Sequence, residues 1–419
     1  VSARPDDIRI ADLANPVLTP AQRAMVEYAE TQPVRFDVET ILAAARAKTG
    51  LADFGRDDFR GRLAVQCQSI EEDAGLNALG RLGVFGNLLR YAENRLRFED
   101  LLRRHPEVLE TRIPRPIIVA GMPRTGTTHL LNLMAADTRL RSLPYWESME
   151  PVPARGEGPG RDGRDPRWVR CNASYQQMVA SMPLIVAMHD MPPEHVHEEI
   201  ELEELDFASY LLEWLCRPTR WRDHYLALDQ RPHYAYMKRV LQALTWLRGP
   251  NRWVLKSPQH LEQLPALLDV FPDATIVVTH RDPVSVIRSA ITMLGYGDRV
   301  RRKRVDLAGL ADYWIDRVDK LLGACLRDRD RLPAAQTIDV PFHEFMADDV
   351  GMVGRIYEKA GLPMTPSARG ELGAFVAANP RGKHGQVIYD LKGDFGLEPS
   401  EVRKRFADYV ERFRVRVED

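Results

Sequence analysis

The chain has 419 residues, 44% of them hydrophobic and 28% charged, which supplies one large core or two modest ones and excludes a disordered or fibrous protein. Its 58 Lys and Arg against 60 Asp and Glu leave a formal charge of -2, so no global field draws nucleic acid or an anionic membrane, and no nucleic-acid partner is expected. The cysteines Cys67, Cys171, Cys216 and Cys325 lie far apart without CxxC spacing, which argues against a zinc module or a disulfide framework and fits a reducing cytoplasm.

In chain order, helical patterning comes first. Residues 20–30 follow a capping Thr19 with proline in the first turn, and the run from 37 closes on Gly50. The theme continues through 86–110 until Pro114 and Pro116 end it, so residues 1–112 read as an N-terminal helical extension packed on the core that follows. Neither the opening residues, which lack a signal peptide's apolar core, nor any later run approaches the roughly 18 apolar residues of a membrane-spanning helix. Residues 117–120, Ile-Ile-Val-Ala, read as a buried parallel strand, and 128–136 repeat apolar residues at helical spacing. A short extended piece at 141–151 and a Gly/Pro/Arg loop at 154–166 follow. The mainly helical stretch after them is read as an insertion, at about 155–250, that lines an acceptor pocket with aromatics such as Trp168, Tyr175, Trp214, Trp221 and Tyr225. Strand signals return at 252–257, 274–281 and 336–341 with helical stretches between them. Over 113–419 this alternation predicts an α/β fold, a P-loop-type parallel sheet flanked by helices whose ligands bind beyond the strands' carboxyl ends. The basic run at 299–304 is predicted to be a solvated loop.

The segment PIIVAGMPRTGTTHLLNLM, residues 116–134, carries the chemistry. Gly121 and Gly126 allow the backbone to approach an anion closely, and the open amides at the helix start point toward it. Against the nucleotide pattern GxxxxGK[ST] the glycine spacing fits, but Thr127 stands where the lysine belongs and the fixed charge is Arg124, inside the loop. A loop that holds β and γ phosphates through lysine and Mg²⁺ is crippled by this change; one that cradles a single phosphate joined to a transferable group is not. A kinase or NTPase using ATP and Mg²⁺ is therefore the lesser alternative, with a non-catalytic nucleotide-binding protein as a second. A further anion grip is read at the end of the 274–281 strand, where Arg281 offers a planar fork and Ser289 a hydroxyl.

With these motifs in order the chain resembles the sulfotransferases that use 3'-phosphoadenosine-5'-phosphosulfate (PAPS), in particular their bacterial branch. Pro123, Arg124, Thr125, Gly126, Thr127 and Thr128 are similar to that family's 5'-phosphosulfate loop. Arg281 and Ser289 match its 3'-phosphate grip, and Lys256 in LKSPQHL matches the lysine that faces the transferred group. Phe342 stands where the family has a tyrosine near adenine, and Arg381 and Lys383 in NPRGKHG resemble its late 3'-phosphate loop. The resemblance covers residues 113–396.

It implies in-line transfer of a sulfuryl group from PAPS to a hydroxyl of a small-molecule, lipid or glycan acceptor, with adenosine 3',5'-bisphosphate as product. Such transfer calls for positioning and preorganised cations rather than covalent catalysis. Arg124, the loop amides, Thr127 and Thr128 would hold the phosphosulfate and Lys256 would stabilise the oxygen left behind. No metal is called for: His195, His197, Glu198 and Glu199 crowd together but lack HExxH spacing, so a structural or acceptor-pocket role is expected of them. Two residues compete as general base. Glu147 beside Trp146 is preferred, on the expectation that an apolar setting raises its pKa, and His260, four residues after Lys256, is the other.

Overall fold

A computed structural model of the chain describes residues 7–380 and 385–418. Two short strands, β1 (Asp7–Ile8) and β7 (Gln386–Val387), pair in parallel apart from the main sheet. The remaining strands among the described residues are β2 (Ile117–Ala120), β3 (Leu140–Arg141), β4 (Arg252–Ser257), β5 (Thr275–His280) and β6 (Thr337–Pro341). They form one all-parallel sheet in the order β3-β4-β2-β5-β6.

Every residue of β2 and β5 is buried, because an all-parallel sheet is covered by helices on both faces. Side chains alternate between those faces. Ile118, Ala120, Leu255, Ile276 and Val278 join the larger core, which continues into Leu88 and Leu96 of helix Ala78–Arg104 and Leu241 of helix Arg231–Arg248. Ile117, Val119, Val254, Val277 and Val340 join a second cluster with Leu130 and Met134 of helix Thr127–Ala135 and Val353 and Ile356 of helix Asp349–Ala360. The N-terminal helices and the helices of the insertion thus share one apolar layer with the sheet. The fold is α/β, and the chain leaves β2 toward β3 on one side and β5 toward β6 on the other, opening a crevice between their carboxyl ends.

Some local expectations change. The extended piece at 141–151 is β3 followed by a short helix, Tyr145–Met149. The first part of the basic run is a clasp rather than a solvated loop: Arg299 and Arg301 lie in helix Pro283–Arg301, Arg299 pairs with Asp12 at 2.8 Å, and buried Arg302 pairs with Asp73 at 2.6 Å, whereas Lys303 and Arg304 are exposed. Trp221 and Tyr225 are core residues with no exposed surface. Among the described residues no helix is long and apolar enough to cross a membrane.

One buried guanidinium ties the insertion to the turn that follows the strand carrying Lys256. Arg317, on helix Leu307–Asp328, donates to Glu213 at 3.0 Å and to both oxygens of Glu262 at 2.7 and 2.6 Å. Both carboxylates are as buried as the arginine, so removing the cation leaves two uncompensated charges in the core. Arg317→Met is expected to lower unfolding free energy by about 3–5 kcal/mol, read from the urea midpoint, and neutralising Glu213 and Glu262 together is expected to restore part of it.

Candidate active site

The loop after β2 is shaped by two glycines for different reasons. Gly121 passes so close to β5 that a Cβ there would lie 1.9 Å from Thr279 Oγ1, and Gly126 turns through φ +80° to start helix Thr127–Ala135. No side chain caps that helix's amino end, so its first amides face the crevice with the partial positive charge of the helix start. Thr125 is turned inward, its Oγ1 donating to the Met122 carbonyl at 2.6 Å and lying 2.7 Å from Thr279 Oγ1. It braces the loop. Arg124 sits at φ +69°, a conformation that costs a non-glycine residue about 1–3 kcal/mol. Its guanidinium over-determines the position, donating to Ser289 Oγ (2.8 Å), the Met188 carbonyl (2.7 Å) and Tyr389 Oη (3.2 Å).

The second grip meets the first. Arg281, directly after β5, donates through one NH to the Arg124 carbonyl at 2.6 Å and stacks 3.9 Å above the Phe342 ring, which itself packs against Gly126. Its outer fork is closed on both oxygens of Glu418 at 2.7 Å. Arg281, Phe342, His343 and residues 415–418 line one open cavity of about 330 Å³. Ser289, on helix Pro283–Arg301, is buried and bridges to Arg124, so Arg124, Arg281, Ser289 and Phe342 form one connected unit.

On the other side of the loop lies a second cavity of about 330 Å³, lined by Pro123, Arg124, Thr127, Thr128 and Lys256 at one part and by an apolar wall that includes Met178, Met182, Ile185, Met191 and Trp214 at another. Residues 193–197 are stitched against the chain just past β3, and of these His197 lines the cavity: Tyr145 N–H donates to the His195 carbonyl at 2.8 Å and His197 N–H to the Leu143 carbonyl at 2.7 Å. This delivers Glu198 to Lys256, where carboxylate and ammonium pair directly. Burial, partly opposed by the lysine, raises the Glu198 pKa above the ordinary carboxylate range. Burial and the neighbouring cations act the other way on imidazoles, holding His195 down to about 4 and His189 and His197 well below their usual value, so all three are neutral near pH 7.

The two residues read as general bases lie elsewhere. Glu147 is buried, but its carboxylate accepts from Arg141 and Arg248, each at 3.1 Å, and Trp146 lies beneath Arg167 and Arg248 rather than making an apolar shelter. Glu147 is not among the residues that line the Lys256 cavity. His260 follows Lys256 through the short turn Pro258–Glu262, which swings it into the core between Tyr234 and Glu199 with no exposed surface. Arg381 and Lys383 lie outside the described residues. Of the aromatics expected in an acceptor pocket, Trp214 lines the Lys256 cavity; Trp168 lies beneath Arg164, and Tyr175 donates to Asp190 at 2.7 Å. Among the described residues no His, Cys, Asp and Glu are grouped to hold a metal ion. What the sequence hid is the partners of Glu198, Glu199 and Glu418, which meet the Lys256 ammonium, the Lys256 amide and Arg281. The signal for the first two was present in the run HEEIELEELD, where carboxylates alternate with Ile and Leu without helical amphipathicity.

A model of the sulfotransferase family matches residues 116–366, more than half of the chain, and the chain belongs to that family. The omega-hydroxy-beta-dihydromenaquinone-9 sulfotransferases Stf3 of Mycobacterium bovis and Mycobacterium tuberculosis are each 23% identical over 261 residues, 59% of this chain and 63% of theirs. The match therefore spans less than two thirds of those relatives. The crystal structure of sulfotransferase STF1 from Mycobacterium tuberculosis H37Rv superposes with a TM-score of 0.78 at 30% identity, covering 89% of this chain and all of that one. That of STF9 from Mycobacterium avium gives 0.80 at 26% identity over 91% of this chain and 98% of its own.

The close approach at Gly121 generates a direct test of the loop. Gly121→Ala forces a methyl group onto Thr279 Oγ1 and is expected to destabilise the fold by about 1–3 kcal/mol, seen as a lowered melting temperature, with loss of anion binding in the folded fraction.

Proposed function

We propose that this protein transfers a sulfuryl group from PAPS to the hydroxyl of an acceptor with a largely apolar body. The observation that carries the proposal is a single cavity lined at once by the anion loop, by Lys256 with its paired Glu198, and by a methionine-rich wall. Transfer between two bound groups needs donor loop, cation and acceptor to meet in this way. The loop amides with Arg124, and Arg281 with Ser289, suit the two phosphate groups of such a nucleotide, and Phe342 supplies a flat apolar surface between them. The apolar wall suits a lipid-like alcohol, in keeping with the quinone-derived acceptor in the name of the Stf3 relatives.

In the reaction the acceptor oxygen forms a bond to sulfur as the bond from sulfur to the phosphate oxygen breaks, and charge builds on the leaving oxygen. Lys256 stands at the end of β4 to neutralise it. In place of Glu147 or His260, Glu198 takes the hydroxyl proton, since it shares both the cavity and the lysine. The two events reinforce each other: once protonated, Glu198 no longer holds the ammonium, which is free to follow the charge on the departing phosphate.

Calorimetry with adenosine 3',5'-bisphosphate, without magnesium, tests the donor assignment. The wild type is expected to bind and Arg281→Ala to lose at least about tenfold in affinity, the equivalent of one charge-assisted fork; binding of ATP and Mg²⁺ in preference would overturn the reading. Glu418 competes for the same fork, so Glu418→Gln is expected to tighten binding by roughly twofold to fivefold, because a partly exposed pair is worth up to about 1 kcal/mol.

The base assignment predicts a pH profile. Glu198 must be ionised to accept a proton and its pKa is raised, so kcat/KM is expected to climb with pH through a midpoint above the ordinary carboxylate value of about 4.3. Glu198→Gln is expected to lower turnover by about 10² or more while leaving nucleotide binding in place.

A further inference from the structure

Two adjacent carboxylates hold the two ends of one lysine. Glu198 pairs with the Lys256 ammonium, while Glu199, fully buried, accepts the Lys256 backbone N–H on one oxygen at 2.8 Å. The other Glu199 oxygen lies 2.5 Å from His260 Nε2, and His260 Nδ1 lies 2.7 Å from Tyr234 Oη. An ionised carboxylate only accepts, which assigns the imidazole proton to Nε2 and makes the tyrosine the donor to Nδ1. Glu199, His260 and Tyr234 have no exposed surface, and none of them lines the cavity.

The sheet explains why a carboxylate is used there. β3 reaches only as far as Arg141 beside Trp253, so at the level of Lys256 that edge of β4 has no neighbouring strand. The Lys256 N–H would be a buried donor without a ladder partner, and Glu199 takes the place of the missing carbonyl. A backbone carbonyl would have satisfied the amide equally well without placing a second negative charge beside Glu198.

Resting on the reading above, in which Glu198 receives the acceptor proton, we propose that Glu199, locked by His260 and Tyr234, is a positioning residue for the transfer: it fixes where β4 presents Lys256 and, through the shared peptide bond, seats Glu198 against it. A like charge beside Glu198 also favours its protonated form. The groups that face Glu198 are Lys256 from β4, His260 from the turn after it, Glu199 beside it, and Glu203 and Tyr210 from the following turns. Burial promotes its protonation, Lys256 opposes it, and the charge of Glu199 promotes it. Removing the Glu199 charge therefore moves the Glu198 titration to lower pH, a change that a residue of purely structural importance would not produce.

The experiment uses the full chain, PAPS as donor and a long-chain primary alcohol as acceptor, with Glu199→Gln, Tyr234→Phe and Glu198→Gln compared with wild type. For Glu199→Gln, kcat is expected to fall about tenfold or more, with adenosine 3',5'-bisphosphate affinity unchanged and the acid limb of kcat/KM moved to lower pH. Folded Glu199→Gln with wild-type kcat and an unmoved acid limb, beside an inactive Glu198→Gln, overturns the inference and leaves the base assignment standing. Full activity in Glu198→Gln overturns the base assignment and this inference with it. Should Glu199→Gln fail to fold, Tyr234→Phe decides: it removes only the far end of the chain of hydrogen bonds, and a severalfold loss in kcat at unchanged nucleotide affinity supports the proposal, whereas wild-type kcat refutes it.

Discussion

Three cations, Arg124, Lys256 and Arg281, are brought to one edge of one sheet, each from the end of a different strand. Their mutual repulsion and the loss of water around them would oppose such an arrangement unless each were offset where it stands. Lys256 is offset by Glu198, Arg281 by Glu418 and the face of Phe342, and Arg124 by neutral acceptors alone. Burial, reinforced by these cations, keeps the nearby histidines neutral. The cation with only neutral partners is the one inside the phosphate loop, where a fixed carboxylate would repel the bound anion.

The insertion supplies what the sheet lacks. Parallel strands deliver the loop and Lys256, but the carboxylate against the lysine comes from a segment stitched to the end of β3 far along the chain. Arg317 then anchors the insertion to the turn that follows β4 through Glu213 and Glu262. The loop, Lys256 and the methionine wall are therefore held by one packed unit, and the cavity they line lies at the seam between sheet and insertion.

How much of this was legible in the sequence depends on the range of the interactions. The strand at 117–120, the glycine turn that follows it and the position of Arg281 directly after a strand were legible because local pattern specifies them. The α/β alternation was legible for the same reason. Glu147 and His260 drew attention by their closeness in sequence to the loop helix and to Lys256, yet the direction of a side chain after a short turn is set by packing: Arg141 and Arg248 claim the first, and Tyr234 and Glu199 the second. Glu198 meets Lys256 across 58 positions, a juxtaposition that no local pattern encodes. The aromatics of the insertion misled in a different way, because Trp221 and Tyr225 have the same composition signature whether they line a pocket or fill a core.

The two walls of the transfer cavity differ in how much change they tolerate. On the side of the loop Gly121 has no room for even one added carbon. On the opposite side Met178, Met182, Met191 and Met293 are unbranched, polarisable and able to repack around ligands of different outline. Substitutions meant to reshape this cavity therefore belong on the methionine wall, where a changed outline leaves the packing of the loop at Gly121 untouched.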